Sequence, residues 1–186
     1  AANAQGVPVV AYDRMIAGGE IAYFVSFDDV LVGELQATAL VDALGERGQG
    51  DGGILMVNGS PTDSNAVGFR DGARKVIDAS GLRVLASYDT PGWSPDKAQS
   101  WVAGQISQFG DAIVGVYAAN DATASGVIAA LRAADMSPLP VVTGQDAELS
   151  ALQRIVSGDQ YMTVYKPLRP QAWRAAEAAV DLLSGR

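Results

Sequence analysis

Among its 186 residues the chain has no cysteine and no histidine. Without cysteine there is no disulfide, thiol nucleophile, iron–sulfur cluster or thiolate zinc site. Without histidine there is no His-based triad and no imidazole metal ligand. The lack of cysteine does not fix the compartment. Positive charge is also scarce, with 13 Lys and Arg against 21 Asp and Glu and a net charge of -8. Nucleic acids and anionic membranes both require a basic face, so neither is the expected partner. No apolar run approaches the roughly 18 residues that would span a bilayer; the longest, residues 112–119, is strand-sized. No G-K-[ST] follows a glycine-rich segment, which excludes a P-loop. The first six residues, AANAQG, lack a basic stretch followed by an apolar one. They are not a signal peptide, and an export signal is expected to be cleaved or to lie upstream. Binding without catalysis and carboxylate-only catalysis remain.

What the chain does have is a globular composition, 48% apolar and 18% charged, without single-sign blocks. Short β-branched and aromatic runs alternate with helical spacing. Strands are expected at 7–12, 22–27, 54–57, 83–88, 112–118, 140–143 and 161–165. Helices are expected at 29–44, with Leu31, Leu35 and Ala39 along one face, and at 64–79, 95–109, 122–134, 147–156 and 168–183. Five-residue strands separated by helices of ten or more imply right-handed βαβ crossovers. The expected fold is α/β, a doubly wound, mostly parallel sheet with helices on both faces.

In such a sheet, ligands bind beyond the carboxyl ends of the strands. There the sequence places Asp13-Arg14, Asp28-Asp29, the run from Asn58 to Asn65, Thr90-Pro91-Gly92-Trp93, Asn120-Asp121, Gln145-Asp146 and Lys166. Carboxylates accept from hydroxyls, amides donate and accept, and cations donate to hydroxyl lone pairs. An indole such as Trp93 suits the C–H face of a pyranose ring. The mixture fits a polyhydroxylated ligand. Helix caps and turn residues are the competing explanation for any one position. That explanation is weakest for Arg14, Trp93 and Lys166, none of which is a preferred cap.

Other motifs carry less. Residues 48–53 match G-x-G-x-x-G but precede a strand, so they cannot aim a helix N-terminus at a pyrophosphate and read as a surface loop. Asp28-Asp29 are adjacent and lack the gap of a glycosidase pair; Asp29 suits a helix N-terminus. Trp101 and Trp173 are expected to pack inside helical patterns. Arg132, Arg154 and Arg174 are expected on exposed helix faces.

Several segments are similar to those of periplasmic D-xylose-binding proteins: 11–15 (AYDRM), 26–28 (SFD), 32–37 (VGELQA), 58–63 (NGSPTD), 119–124 (ANDATA), 144–147 (GQDA) and 162–167 (MTVYKP). Asn-Asp and Gln-Asp indicate the wider type I sugar-binding superfamily; YDRM and TVYKP point to the xylose group. The resemblance implies a periplasmic-binding-protein type I fold and ligand contacts from Asp13 and Arg14 of one lobe. It assigns Asn65, Asn120, Asp146 and Lys166 as a hydrogen-bonding set and Trp93 as an aromatic platform. Pro91 stands where relatives can carry an acidic residue. Such proteins close two lobes by a hinge, with 26–28 and 166–167 resembling the crossings.

The resemblance also implies a division. Residues 1–26 would be a remnant of the N-terminal lobe with the first crossing, 27–166 the C-terminal lobe, and 167–186 a hinge and helix belonging with the first lobe. The chain is therefore expected to be truncated, with lower affinity than an intact relative because an open cleft buries little ligand. The expected role is an extracytoplasmic or periplasmic solute-binding component of an ABC sugar importer, without cofactor or metal. Its expected partners are a monosaccharide, D-xylose first, and the permease subunits. Glucose, arabinose and ribose stay open, because excluding a hexose requires steric closure that sequence does not display. The alternative is the ligand-sensing domain of a lactose-repressor-type regulator, which an upstream helix-turn-helix would reveal. A carboxylate-based sugar enzyme is disfavoured by the missing histidine and metal cluster.

Overall fold

All six residues of β3 (Gly53–Asn58) are buried, as a parallel strand covered on both faces requires. The computed structural model describes residues 1–185, and β3 lies within a four-stranded parallel sheet. β4 (Arg83–Asp89) pairs on one side and β5 (Ile113–Ala118) on the other, with β6 (Val141–Val142) beyond β5. The side chains of β3 alternate between two cores. Ile54 and Met56 join α1 (Asp29–Glu46) and α2 (Ser64–Ile77) through Leu40, Leu44, Ala73 and Ile77. Leu55 and Val57 join α3 (Pro95–Phe109) and α4 (Asp121–Ala133) through Val102, Val127 and Leu131. The chain steps outward from β3 to β4 and returns to β5, which puts the topological switch point between β3 and β5. The fold is doubly wound α/β, as expected.

Helix pairs on each face approach at glycines. A Cβ on Gly33 of α1 would lie 2.0 Å from the Phe69 carbonyl oxygen, and one on Gly72 of α2 would lie 2.0 Å from that of Val30. On the other face, a Cβ on Gly126 of α4 would lie 2.0 Å from the Pro95 oxygen. Gly104 of α3 differs, since its Cβ would meet nothing within 4 Å. Gly104→Ala is expected to stabilise the protein by roughly 0.5–1 kcal/mol, because alanine loses less backbone entropy in a helix. Urea denaturation checks this, and a loss of stability would show that the position is not open.

The chain divides into two units. Asp29–Tyr165 holds the four-stranded sheet, α1 to α4 and α5 (Leu149–Ser157). Ala1–Asp28, with the segment from Lys166 onward, holds a two-stranded parallel sheet and α6 (Leu168–Leu183). The two strands are β1 (Val10–Tyr12) and β2 (Tyr23–Val25).

Leu31 and Leu35 share one face of the expected helix; it is the exposed face of α1, at 49% and 48% exposure, and the core face carries Val32, Gly33, Gln36, Ala37 and Leu40. Both faces of this helix are apolar, and small residues mark the one that packs closely. Three expectations need correction. Residues 161–165 form no strand; the segment follows β6 through an isolated Gln145–Val164 bridge and a bond from Tyr161 N–H to the Val142 oxygen. The facing loop turns through positive φ at Asp146 and Ala147, which ends the ladder. Trp173 is 66% exposed rather than packed, its Nε1 donating to Glu177. Arg154 is half-buried, donating to Gln160 Oε1 and the Asp121 carbonyl, each at 3.0 Å.

Candidate functional site

Polar turns follow the strands of the larger unit, and the first two form one cluster. Asn58 ends β3, and its Nδ2 donates to Ser87 Oγ and Asp89 Oδ1 at 3.0 Å, fixing the strand end against β4. The Trp93 indole lies directly over Gly59, where a Cβ would come within 2.1 Å of the ring. Trp93 Nε1 donates to Asp63 Oδ2 at 3.0 Å, and the ring meets Phe69 edge-on with centroids 6.4 Å apart. Gly92 and Trp93 both have positive φ, 66° and 57°, and the Gly92 N–H donates to Ser60 Oγ at 3.2 Å. Asp63 also caps α2, its Oδ1 accepting from the Asn65 N–H at 3.1 Å. One carboxylate therefore joins the buried Asn65 to the indole. The Trp93 N–H is thereby taken up by Asp63.

The next two turns form a second cluster. Asn120 caps α4 by accepting from the Thr123 N–H at 2.9 Å, and the Thr123 hydroxyl accepts from the Asn120 N–H at 3.3 Å. Asn120 is half-buried. Beside it, Asp121 is fully buried. Its Oδ1 accepts from Gln160 Nε2 at 2.8 Å, and its Oδ2 accepts from the Glu148 N–H at 3.0 Å and Thr163 Oγ1 at 2.9 Å. Asp146, in the loop after β6, is exposed with φ 101°, and its N–H donates to the Val164 oxygen at 2.9 Å. Gln145 reaches back through Nε2 to the Ala119 oxygen at 2.8 Å.

Asp13, Arg14 and Lys166 belong to the smaller unit. Asp13 follows β1 with φ 66°; its Oδ1 accepts from Gln171 Nε2 of α6 at 3.3 Å and its carbonyl accepts from Ser26 Oγ at 2.8 Å. Arg14 is exposed, and Lys166 Nζ stands 5.9 Å from the centroid of the Phe27 ring. Asp63 thus joins Asn65 to Trp93, and the Asp121 N–H, donating to the Gln145 oxygen at 2.9 Å, ties the turn that holds Asn120 to the loop that holds Asp146. Sequence reasoning missed Asp63, Asp121, Gln160 and Thr163 as the residues that hold these groups. The signal for Asp121 was its place directly after the Asn120 cap, where a carboxylate begins a helix.

Loss of water pushes the Asp121 pKa up, more than its Gln160, Glu148 and Thr163 donors bring it down, and the Asp146 charge adds to the rise. A raised folded-state value means the folded protein holds this proton more tightly than the unfolded chain. Stability from Asp121 is then fully present below the ordinary aspartate value and falls as pH rises toward the folded value. The advantage of the wild type over Asp121→Asn is therefore expected to be larger at pH 4 than at pH 7. Urea denaturation at both pH values measures it; an advantage that grows with pH reverses the sign.

Among the described residues, no group of three or more His, Cys, Asp or Glu could hold a metal ion, and no helix is long and apolar enough to cross a membrane. The clusters present acceptors, amides and an aromatic surface.

Two curated relatives are D-xylose-binding periplasmic proteins. That of Escherichia coli is 41% identical, covering 100% of this chain and 56% of the relative. That of Haemophilus influenzae is 42% identical, covering 97% and 54%. The chain thus spans about half the length of the curated relatives it matches. Among solved structures, an ABC transporter solute binding protein from Clostridium phytofermentans with bound beta-D-glucose superposes with a TM-score of 0.85. It is 30% identical, covering 98% of this chain and 60% of that one. The periplasmic binding protein domain model matches residues 1–186, and the chain belongs to that family.

Proposed function

We propose that the chain is part of an extracytoplasmic solute-binding protein that delivers a monosaccharide, D-xylose first, to an ABC permease in the bacterial envelope. The observation that carries this reading is the identity of 41% and 42% to two proteins that bind D-xylose, extending over essentially the whole chain. The carboxyl edge of the sheet supports it chemically. Asn65, Trp93, Asn120 and Asp146 supply amide, indole and carboxylate groups suited to hydroxyls and a ring face. Asp13, Arg14 and Lys166, in the smaller unit, add carboxylate and cationic groups of the same hydroxyl-binding chemistry. Binding of this kind requires no bond breaking, and the role is transport rather than catalysis.

In this reading the 29–165 unit acts as one lobe, and the smaller unit belongs with the other. The chain passes between the units at 28–29 and 165–166, and the hinge crossings are proposed at the neighbouring segments 26–28 and 166–167. Titration calorimetry with D-xylose, and with D-ribose and D-glucose as controls, tests the function. Saturable heat is expected for D-xylose, with smaller or no heat for the others. Silence for all three, or preference for a non-sugar solute, overturns the reading.

A further inference from the structure

Asp146 and Ala147 carry an unusual backbone for non-glycine residues, with φ of 101° and 52°. Such conformations persist only where surrounding contacts impose them. The structure shows which contacts do so. Thr163 Oγ1 donates to Asp121 Oδ2 at 2.9 Å and accepts from the Ala147 N–H at 3.1 Å. The Glu148 N–H donates to the same carboxylate oxygen at 3.0 Å. Two consecutive amides after Asp146 are thus fixed, one directly and one through the hydroxyl, by a carboxylate on the first turn of α4.

Gly144 makes the approach possible. A Cβ there would lie 2.2 Å from Asp121 Oδ1 and 2.5 Å from Gln160 Nε2. Asp121 itself is fully buried, and its neighbour Asn120 is the α4 cap. Asp121 is therefore adjacent in the chain to Asn120 and bonded, through the Glu148 N–H and the Thr163 hydroxyl, to the loop that carries Asp146.

We propose that Asp121 and Thr163 are positioning residues that hold the Asp146 carboxylate at a fixed distance from Asn120, so that both meet hydroxyls of one sugar. The inference rests on the sugar-binding function proposed above. Neither residue needs to touch the ligand. Their contribution is to prevent the 145–148 loop from relaxing to ordinary backbone angles, which would swing Asp146 away. Pre-set geometry of this kind raises affinity by removing ordering costs at binding.

The test uses the full chain with Thr163→Val, which removes the hydroxyl at nearly constant volume, and Thr163→Ser, which restores it. Two quantities are read: amide hydrogen exchange at Ala147 and Glu148 without ligand, and the Kd for D-xylose by calorimetry. Thr163→Val is expected to speed exchange at both amides at least tenfold and to raise Kd about tenfold, while protection in β3 and β5 is retained. Thr163→Ser is expected to recover both. Faster exchange with unchanged Kd overturns the positioning role, as does unchanged exchange or failure of serine to rescue. A wild-type chain that binds no sugar overturns the proposed function and this role together, whereas normal wild-type binding with an indifferent variant overturns only this role.

Discussion

Gly72→Ala is expected to destabilise the 29–165 unit by about 3 kcal/mol, despite alanine being the better helix former by about 1 kcal/mol. The added Cβ would sit 2.0 Å from the Val30 carbonyl oxygen, 2.8 Å from its carbon and 3.1 Å from the Glu34 nitrogen. These are backbone atoms of α1, so no rotamer change relieves the clash. The helices must move apart, which loosens the layer formed by Leu40, Ala73 and Ile77 against the sheet. Overpacking typically costs 1–3 kcal/mol, and a backbone clash belongs at the upper end. Gly33→Ala meets the reciprocal obstacle, with its Cβ 2.0 Å from the Phe69 oxygen. Once one substitution has separated the helices the second has less to displace, so the double variant is expected to lose less than the sum. Urea denaturation of the single and double variants, beside Gly104→Ala, measures all three effects. Equal behaviour of Gly72→Ala and Gly104→Ala would remove the close-approach argument.

Trp93→Ala is expected to weaken D-xylose binding about 100-fold, equivalent to about 2.7 kcal/mol, as expected for a central aromatic anchor. The indole is held on three sides, by the Gly59 backbone, the Phe69 edge and the bond to Asp63. In the proposed function, a ring fixed in this way would meet a sugar with little entropy left to lose. Trp93→Phe keeps an aromatic face but loses the Asp63 bond, and an intermediate loss is expected. Gly59→Ala leaves the indole intact and pushes it off its seat, so its affinity loss should approach that of Trp93→Ala. Calorimetry gives the affinities, and circular dichroism establishes that each variant is folded. Full affinity in a folded Trp93→Ala would exclude the indole from the binding surface.

The strand–helix alternation was legible because the two periodicities differ and the β-branched runs are short. β3 and β5 are nearly continuous apolar runs, as doubly covered strands must be. Which face of α1 packs was not legible, because Leu31 and Leu35 are as apolar as Leu40 and Leu44, while the decisive contact is made by Gly33, which has no side chain. The 161–165 segment read as a strand because its Tyr, Thr and Val content suits one. Its partner loop bends at Asp146, which depends on contacts that no local window contains. The same holds for the candidate site. Strand ends located the polar turns, but the supports behind them join residues 39 and 42 positions apart, as with Asp121 to Gln160 and to Thr163. Trp93 and Asp63, 30 positions apart, are a further example.

The central claim, that the carboxyl edge of the sheet receives a monosaccharide, is tested most directly by mapping amide chemical shifts during titration with D-xylose. The account predicts shifts at 58–65, 90–93, 119–121 and 144–147, and little change at 47–53 or 136–140 on the opposite edge. Saturable shifts confined to that opposite edge, or none at any sugar concentration, would contradict it.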